Sequence, residues 1–149
     1  MYSKIMVPTD GSPGAAAAIA FARDLLMGGV AQSMTLVHVA SIAKEVASFS
    51  IINTKGVDEE LVKTKLLHHG HNMLVRSKNL IHQPGLSIDT LVELDDDPGE
   101  RIIKIAAEQK FDLIVMGSRG LSVIKELIVG SVSSKVLHHA GCPVVIYKE

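Results

Sequence analysis

A doubly wound α/β fold, with a five-stranded parallel sheet and helices on both faces, is the class this 149-residue sequence predicts. Three observations predict it. Five short apolar runs rich in β-branched residues recur along the chain, as expected of buried parallel strands. Stretches with helical apolar spacing alternate with them. Glycine, proline and small polar residues stand at the junctions, most densely after the fourth run, where Gly117, Gly120 and Gly130 punctuate a single strand-to-helix crossover.

The elements follow in order. Lys4 to Thr9 reads as the first strand. Ser12 is a helix N-cap with Pro13 at the first helical position, and Ala15, Ile19, Ala22 and Leu26 form an apolar stripe that Gly28-Gly29 ends. Met34 to Val39 is the second strand. Ala40 to Gly56 shows no clear period and is expected as a loop or partly ordered connector. A long helix is predicted from about Val57 to His82, with Leu66-Leu67, Met73-Leu74 and Leu80-Ile81 as a core-facing seam, and Pro84-Gly85 closes it. Ser87 to Leu94 is the third strand. Asp97-Pro98-Gly99-Glu100 is a capping-box arrangement for a helix that turns Ile102, Ile103, Ala106 and Ala107 inward. The fourth and fifth strands are Asp112 to Met116 and Pro143 to Tyr147. Between them a helix begins at Ser131, read as its N-cap, carries Val132, Val136 and Leu137, and ends near Ala140-Gly141.

Composition narrows the function. With 47% hydrophobic and 21% charged residues the chain buries a substantial core, and its length suits one domain spanning 1–149. Fifteen basic against sixteen acidic residues leave a formal charge of −1, which carries no footprint for nucleic acid or an anionic membrane. The longest apolar stretch, Ala15 to Ala22, is far short of a membrane span, and Pro8 and Asp10 interrupt the N-terminal run before a signal-peptide core develops. A cytoplasmic location is expected. The single Cys142 excludes an intrachain disulfide and reads as a small packing residue ahead of the last strand.

The glycine set carries the functional signal. A helix N-terminus gathers unpaired N–H groups and the positive end of the helix dipole, and glycine lets an anion reach the main chain without a Cβ in the way. Gly117, Gly120 and Gly130-Ser131 therefore outline a phosphate cradle, although each glycine taken singly also suits a tight turn. Ser131 has two compatible roles, cap and phosphate donor. Asp10, directly after the first strand, either accepts from a ribose hydroxyl or approaches a phosphate-bound Mg²⁺, or ties down the turn at Gly11 and Ser12.

The Gly-x2-Gly-x9-Gly-Ser pattern resembles the signature of the ATP-binding branch of the universal stress protein family. The resemblance runs from Lys4-Ile5-Met6-Val7-Pro8-Thr9-Asp10-Gly11-Ser12 to Cys142-Pro143-Val144-Val145-Ile146-Tyr147. It implies strand order 3-2-1-4-5, a Rossmann-like nucleotide fold, ATP as ligand with Mg²⁺ held mainly by the phosphates, and a homodimer. On this resemblance Val39 matches a position whose main chain meets adenine. Pro8, Thr9 and Asp10 wall the same crevice, and Met116, Gly117, Arg119, Gly120, Gly130, Ser131 and Val132 complete it. The order places Asp10 and Gly117 on one cleft, at the point where the winding reverses. The loop near Asp96 departs from the family pattern, in which a glycine is common there. Dimerisation is expected through Val144 to Tyr147, an edge strand with free pairing capacity.

Several residues invite a second reading. Arg119 either screens phosphate charge or is solvated, and Ser122 and Lys125 are weaker candidates of the same kind. Asp95-Asp96-Asp97 is not expected to hold a metal, since consecutive residues do not converge on one ion without a sharply turning loop. His68-His69-Gly70-His71 lacks nearby partners for zinc and reads as helix surface. His138-His139 reads as a dipole-stabilised helix end. No Gly-x4-Gly-Lys-Ser/Thr run and no Gly-x-Gly-x-x-Gly fingerprint occurs. The expected function is therefore ATP-responsive regulation or protection under stress, with at most slow hydrolysis. The alternatives are a dimeric interaction module without nucleotide use and a true ATPase or nucleotidyl transferase.

Overall fold

The computed structural model describes residues 1–52, 56–118 and 130–148, with side chains at all of these except 50–52. The order is β1 (Tyr2–Pro8), α1 (Pro13–Met27), β2 (Ala31–Ala40), α2 (Ile42–Ile52), α3 (Glu59–Ile81), β3 (Ser87–Leu94), α4 (Pro98–Glu108), β4 (Leu113–Gly117), α5 (Ser131–His139) and β5 (Val144–Tyr147). All five strands form one parallel sheet in the order β3-β2-β1-β4-β5.

Alternation along the strands divides the core into two layers. In β1, Ile5 and Val7 face one way and Met6 the other; in β4, Leu113 and Val115 oppose Ile114 and Met116. The first set packs with Ala18, Ile19, Ala22 and Leu26 of α1 and Leu74 and Ile81 of α3. The second packs with Ile102, Ile105 and Ala106 of α4 and Val136 of α5. Both faces are thus covered, which is why the strands read as almost continuous apolar runs.

The ends of the elements are set by short-range chemistry. Ser12 is the N-cap of α1, its Oγ accepting the Ala15 N–H at 3.2 Å, with Pro13 at the first helical position. Asp58 caps α3 and Asp97 caps α4 through the Glu100 N–H at 3.1 Å. The capping box at α4 is one-sided, because the Asp97 N–H donates to Asp95 Oδ1 at 2.8 Å. Asp112 anchors the start of β1 to β4, accepting the Ser3 and Lys4 N–H groups at 2.7 and 3.0 Å. Burial pushes the Asp112 carboxyl up, but those donors outweigh it and hold it below the usual carboxylate range.

Three expectations are corrected. The segment after β2 is largely helical, since α2 occupies Ile42–Ile52. Residues 42, 46 and 49 are apolar at helical spacing, but the first turn is completed from a distance. Ser41 Oγ accepts the Lys44 N–H at 3.2 Å and donates to Asp96 Oδ1 at 3.0 Å, and the same oxygen accepts the Ala43 N–H at 2.9 Å. The Ala43 N–H, with Ser41 next, holds the Asp96 carboxyl below its ordinary range. Second, the seam of α3 is Val62, Gly70, Leu74 and Ile81; Leu67 and Leu80 of the predicted pairs are 43% and 86% exposed. A 3.6-residue turn cannot bury both members of every adjacent pair. Third, α4 buries Ile105 and leaves Ala107 exposed.

Candidate functional site

The strand order puts the reversal of winding between β1 and β4, and a concavity opens beyond their carboxyl ends. It encloses about 280 Å³. Pro8, Thr9 and Asp10 come from the end of β1, Val37 and Val39 from β2, and Met116 and Gly117 from β4. Pro98 and Ile102 of α4 close one side, Lys44 of α2 another, and Gly130 with Ser131, Val132 and Ser133 of α5 a third. Nine of the eleven residues singled out from the sequence therefore line one cleft. The other two, Arg119 and Gly120, lie outside the described residues, as do Ser122 and Lys125.

The glycines have separate causes. Neither Gly117 nor Gly130 has a positive φ, so turn strain explains neither. Gly117 is where β4 meets the first turn of α1. A Cβ there would lie 2.8 Å from Gly14 C and O and 3.1 Å from Ala15 N, all backbone atoms. Its carbonyl accepts the buried Ser133 hydroxyl at 3.0 Å, which ties α5 to β4. Gly130 is itself the N-cap of α5, at φ −58° and ψ 161°, and Ser131 is the first helical residue. That corrects the expectation of Ser131 as cap. Among the described residues no side chain caps α5, whose first turn lines the cleft from Gly130 to Ser133.

Asp10 is exposed and makes the local contact weighed in the sequence. Its Oδ1 accepts the Ser12 N–H at 2.9 Å, while Thr9 Oγ1 accepts the Gly11 N–H at 3.2 Å. Gly11 has φ +80°, and a Cβ there would meet Met73 Sδ at 2.7 Å. From the opposite face of the sheet, His38 Nδ1 lies 2.9 Å from the Thr9 carbonyl, an acceptor, which requires the proton on Nδ1. The loop carrying Asp10 is therefore pinned on both sides.

Sequence reasoning missed Lys44, Ala15, Val37, Pro98, Ile102 and Ser133 as lining residues. Most are placed by packing alone; Lys44 fell in the segment read as loop. The cleft combines an apolar floor, an uncapped helix N-terminus, one carboxylate and one ammonium, a constitution suited to a ligand with a flat apolar part and an anionic part.

Other candidates resolve locally. Asp95, Asp96 and Asp97 each accept backbone N–H groups, and Asp97 pairs also with Lys135. His68, His69 and His71 are exposed on α3. His138 Nδ1 contacts the Ser134 carbonyl at 2.7 Å near the end of α5. Cys142 is half-buried, its thiol pushed up by burial and by Asp112. Among the described residues no three His, Cys, Asp or Glu side chains are grouped to hold a metal ion, and no helix is long and apolar enough to cross a membrane.

Comparison with known proteins agrees with this architecture. The model of the Universal stress protein family matches residues 1–148. Universal stress protein MJ0531 of Methanocaldococcus jannaschii is 30% identical over 149 residues, covering 100% of this chain and 84% of that relative. The solved structure of the hypothetical protein MJ0577 of the same organism superposes with a TM-score of 0.79 at 30% identity, covering 100% of this chain and 97% of the other. A universal stress protein solved in complex with cAMP shares the fold at a TM-score of 0.61 and 21% identity, covering 97% of this chain and 95% of the other.

Proposed function

This chain belongs to the universal stress protein family, and from that premise we propose that its cleft binds ATP as the signal of a cytoplasmic regulatory or protective protein. The observation that carries the proposal is the N-terminus of α5, which no side chain caps among the described residues and which lines the cleft beside the end of β4, the Gly130 N–H donating to the Ser118 carbonyl at 2.9 Å. Backbone N–H groups and the helix dipole there suit the phosphates, and the Ser131 hydroxyl, which makes no capping bond among the described residues, donates to them. Asp10 keeps one carboxylate oxygen available for ribose hydroxyls, and Val37, Val39, Ile102 and Met116 offer an apolar bed to the base. Mg²⁺ is held mainly by the phosphates. Arg119 and Gly120 belong to the same proposal through the signature alone.

The test is equilibrium binding of ATP to nucleotide-stripped protein with Mg²⁺, with ADP, AMP, GTP and cAMP as competitors and phosphate release followed in the same samples. Saturable, ATP-selective binding with negligible release is the expected result. Absence of binding returns the protein to the class of interaction modules, and multiple turnovers abolished by Asp10→Ala would make it an enzyme.

Assembly is part of the same proposal. β5 is an edge strand whose four residues are all half-buried in the single chain, and pairing with a second copy completes their burial. Sedimentation at micromolar concentration is expected to give a dimer mass, and Ile146→Pro, which removes an N–H on the free edge of β5, a monomer. A monomeric mass for the unaltered protein would sink the dimer.

A further inference from the structure

Lys44 stands in the cleft outside the glycine signature, and its place there is built by contacts from a distant part of the chain. Its own N–H donates to Ser41 Oγ at 3.2 Å. Ser41 Oγ and the Ala43 N–H both donate to Asp96 Oδ1, from the connection between β3 and α4. One carboxylate thus fixes the first turn of α2, and that turn delivers Lys44 to the wall of the cleft that Val39 and Pro98 also line. The ammonium makes no hydrogen bond or ion pair among the described residues, although Asp96 lies next to its backbone; that carboxylate is committed to Ser41 and Ala43. A long flexible cation at a cavity wall, without a partner among the described residues, is available to a ligand.

The sheet order says which part of the ligand it meets. The α5 N-terminus stands over β4, and α2 follows β2, with β1 between them. Two strand spacings, about 10 Å, separate the two poles. A nucleotide whose phosphates rest on α5 therefore extends its base toward α2. Lysine has three donors and no acceptor, so against a purine it pairs with ring nitrogens or lies on the π face, and it has nothing to offer an exocyclic amino group. Resting on the nucleotide reading above, we infer that Lys44 is a base-contacting residue of the site, its ammonium held by the Asp96-anchored turn of α2 against the purine ring at the end remote from the phosphates.

Calorimetric titration of the wild-type protein, Lys44→Met and Lys44→Arg with adenosine, AMP, ADP and Mg-ATP at one ionic strength tests this. Loss of the ammonium is expected to weaken all four ligands by a similar factor, about five- to tenfold, whatever the number of phosphates. Lys44→Arg, which keeps a cation able to lie on the ring, is expected to retain most of the affinity. Asp96→Ala, which frees the turn, is expected to reproduce part of the uniform loss with Lys44 intact. Lys44 is exposed, so Lys44→Met should melt like the wild type, and its melting curve is recorded alongside. A loss that grows with each added phosphate would reassign Lys44 to the phosphate end, and unchanged affinity for all four would remove it from the site. Either result overturns the inference and leaves the nucleotide reading standing, whereas a wild-type protein that binds none of the four overturns both.

Discussion

Gly117→Val is expected to lower the unfolding free energy by about 3 kcal/mol, because the new side chain has no space at the junction of β4 and α1. The nearest atoms to its Cβ, at 2.8 Å from Gly14 C and O, are backbone of the first turn of α1, which rotation of a side chain cannot relieve. Either β4 or α1 must shift, and both bury core residues in the same layer, Leu113 and Val115 against Ala18, Ile19 and Ala22. For a domain of this length that corresponds to a fall in Tm of about 6–12 °C. Gly141→Ala is the matched control, since nothing lies within 4 Å of a Cβ there and its φ is not positive; it is expected to melt within about 0.5 kcal/mol of the wild type. Chemical denaturation of the two variants side by side checks the claim. Equal stabilities would mean that Gly117 is not a packing glycine, and that its place in the signature concerns the ligand alone.

Gly130→Val separates the two roles in the opposite direction. At φ −58° and ψ 161° this position lies in a region open to every L-residue, so valine is expected to bring no backbone strain and to cost about 1 kcal/mol as a poorer N-cap. The site is different. Gly130 lines the cleft at the helix end proposed to meet the phosphates, and a branched side chain there displaces an anion from the N–H groups. ATP affinity is expected to fall about 100-fold, roughly 2.7 kcal/mol, with adenosine affinity hardly changed. Binding isotherms for both ligands, with a melting curve as the folding control, decide it. Retained ATP affinity in a folded variant would show that phosphates do not rest on α5.

Much of this was legible in the residues. Ser12-Pro13 marked the start of α1, and the spacing of Ala15, Ile19, Ala22 and Leu26 marked its buried face, because capping and 3.6-residue periodicity are properties of neighbouring residues. β3 was bounded correctly at Ser87 and Leu94, where Gly85 and the acidic run frame it. The strand order was not contained in any period, and came from the resemblance carried by the glycine spacing. The helical character of Ile42–Ile52 was missed because its first turn is finished by Asp96, 53 positions beyond Ala43. The exposure of Leu67 and Leu80 was missed for a related reason: in an adjacent apolar pair, only the neighbouring helix and sheet decide which member turns inward.

The sequence by itself determined the elements, their alternation and the position of the glycine signature after the fourth strand, since these depend on backbone propensity, local caps and the spacing of apolar residues. Only the tertiary structure decided why each glycine is there. Gly117 and Gly130 look alike as letters, yet one is excluded from bearing a side chain by the backbone of α1 and the other is the N-cap of α5. Only the tertiary structure, too, put Lys44 into the cleft with Asp10 and Gly130, because the parallel sheet brings the ends of β2, β1 and β4 side by side and the hydrogen bonds of Asp96 hold α2 above them. Contacts between segments far apart in sequence are made by packing two faces of one sheet, and no local pattern of residues encodes them.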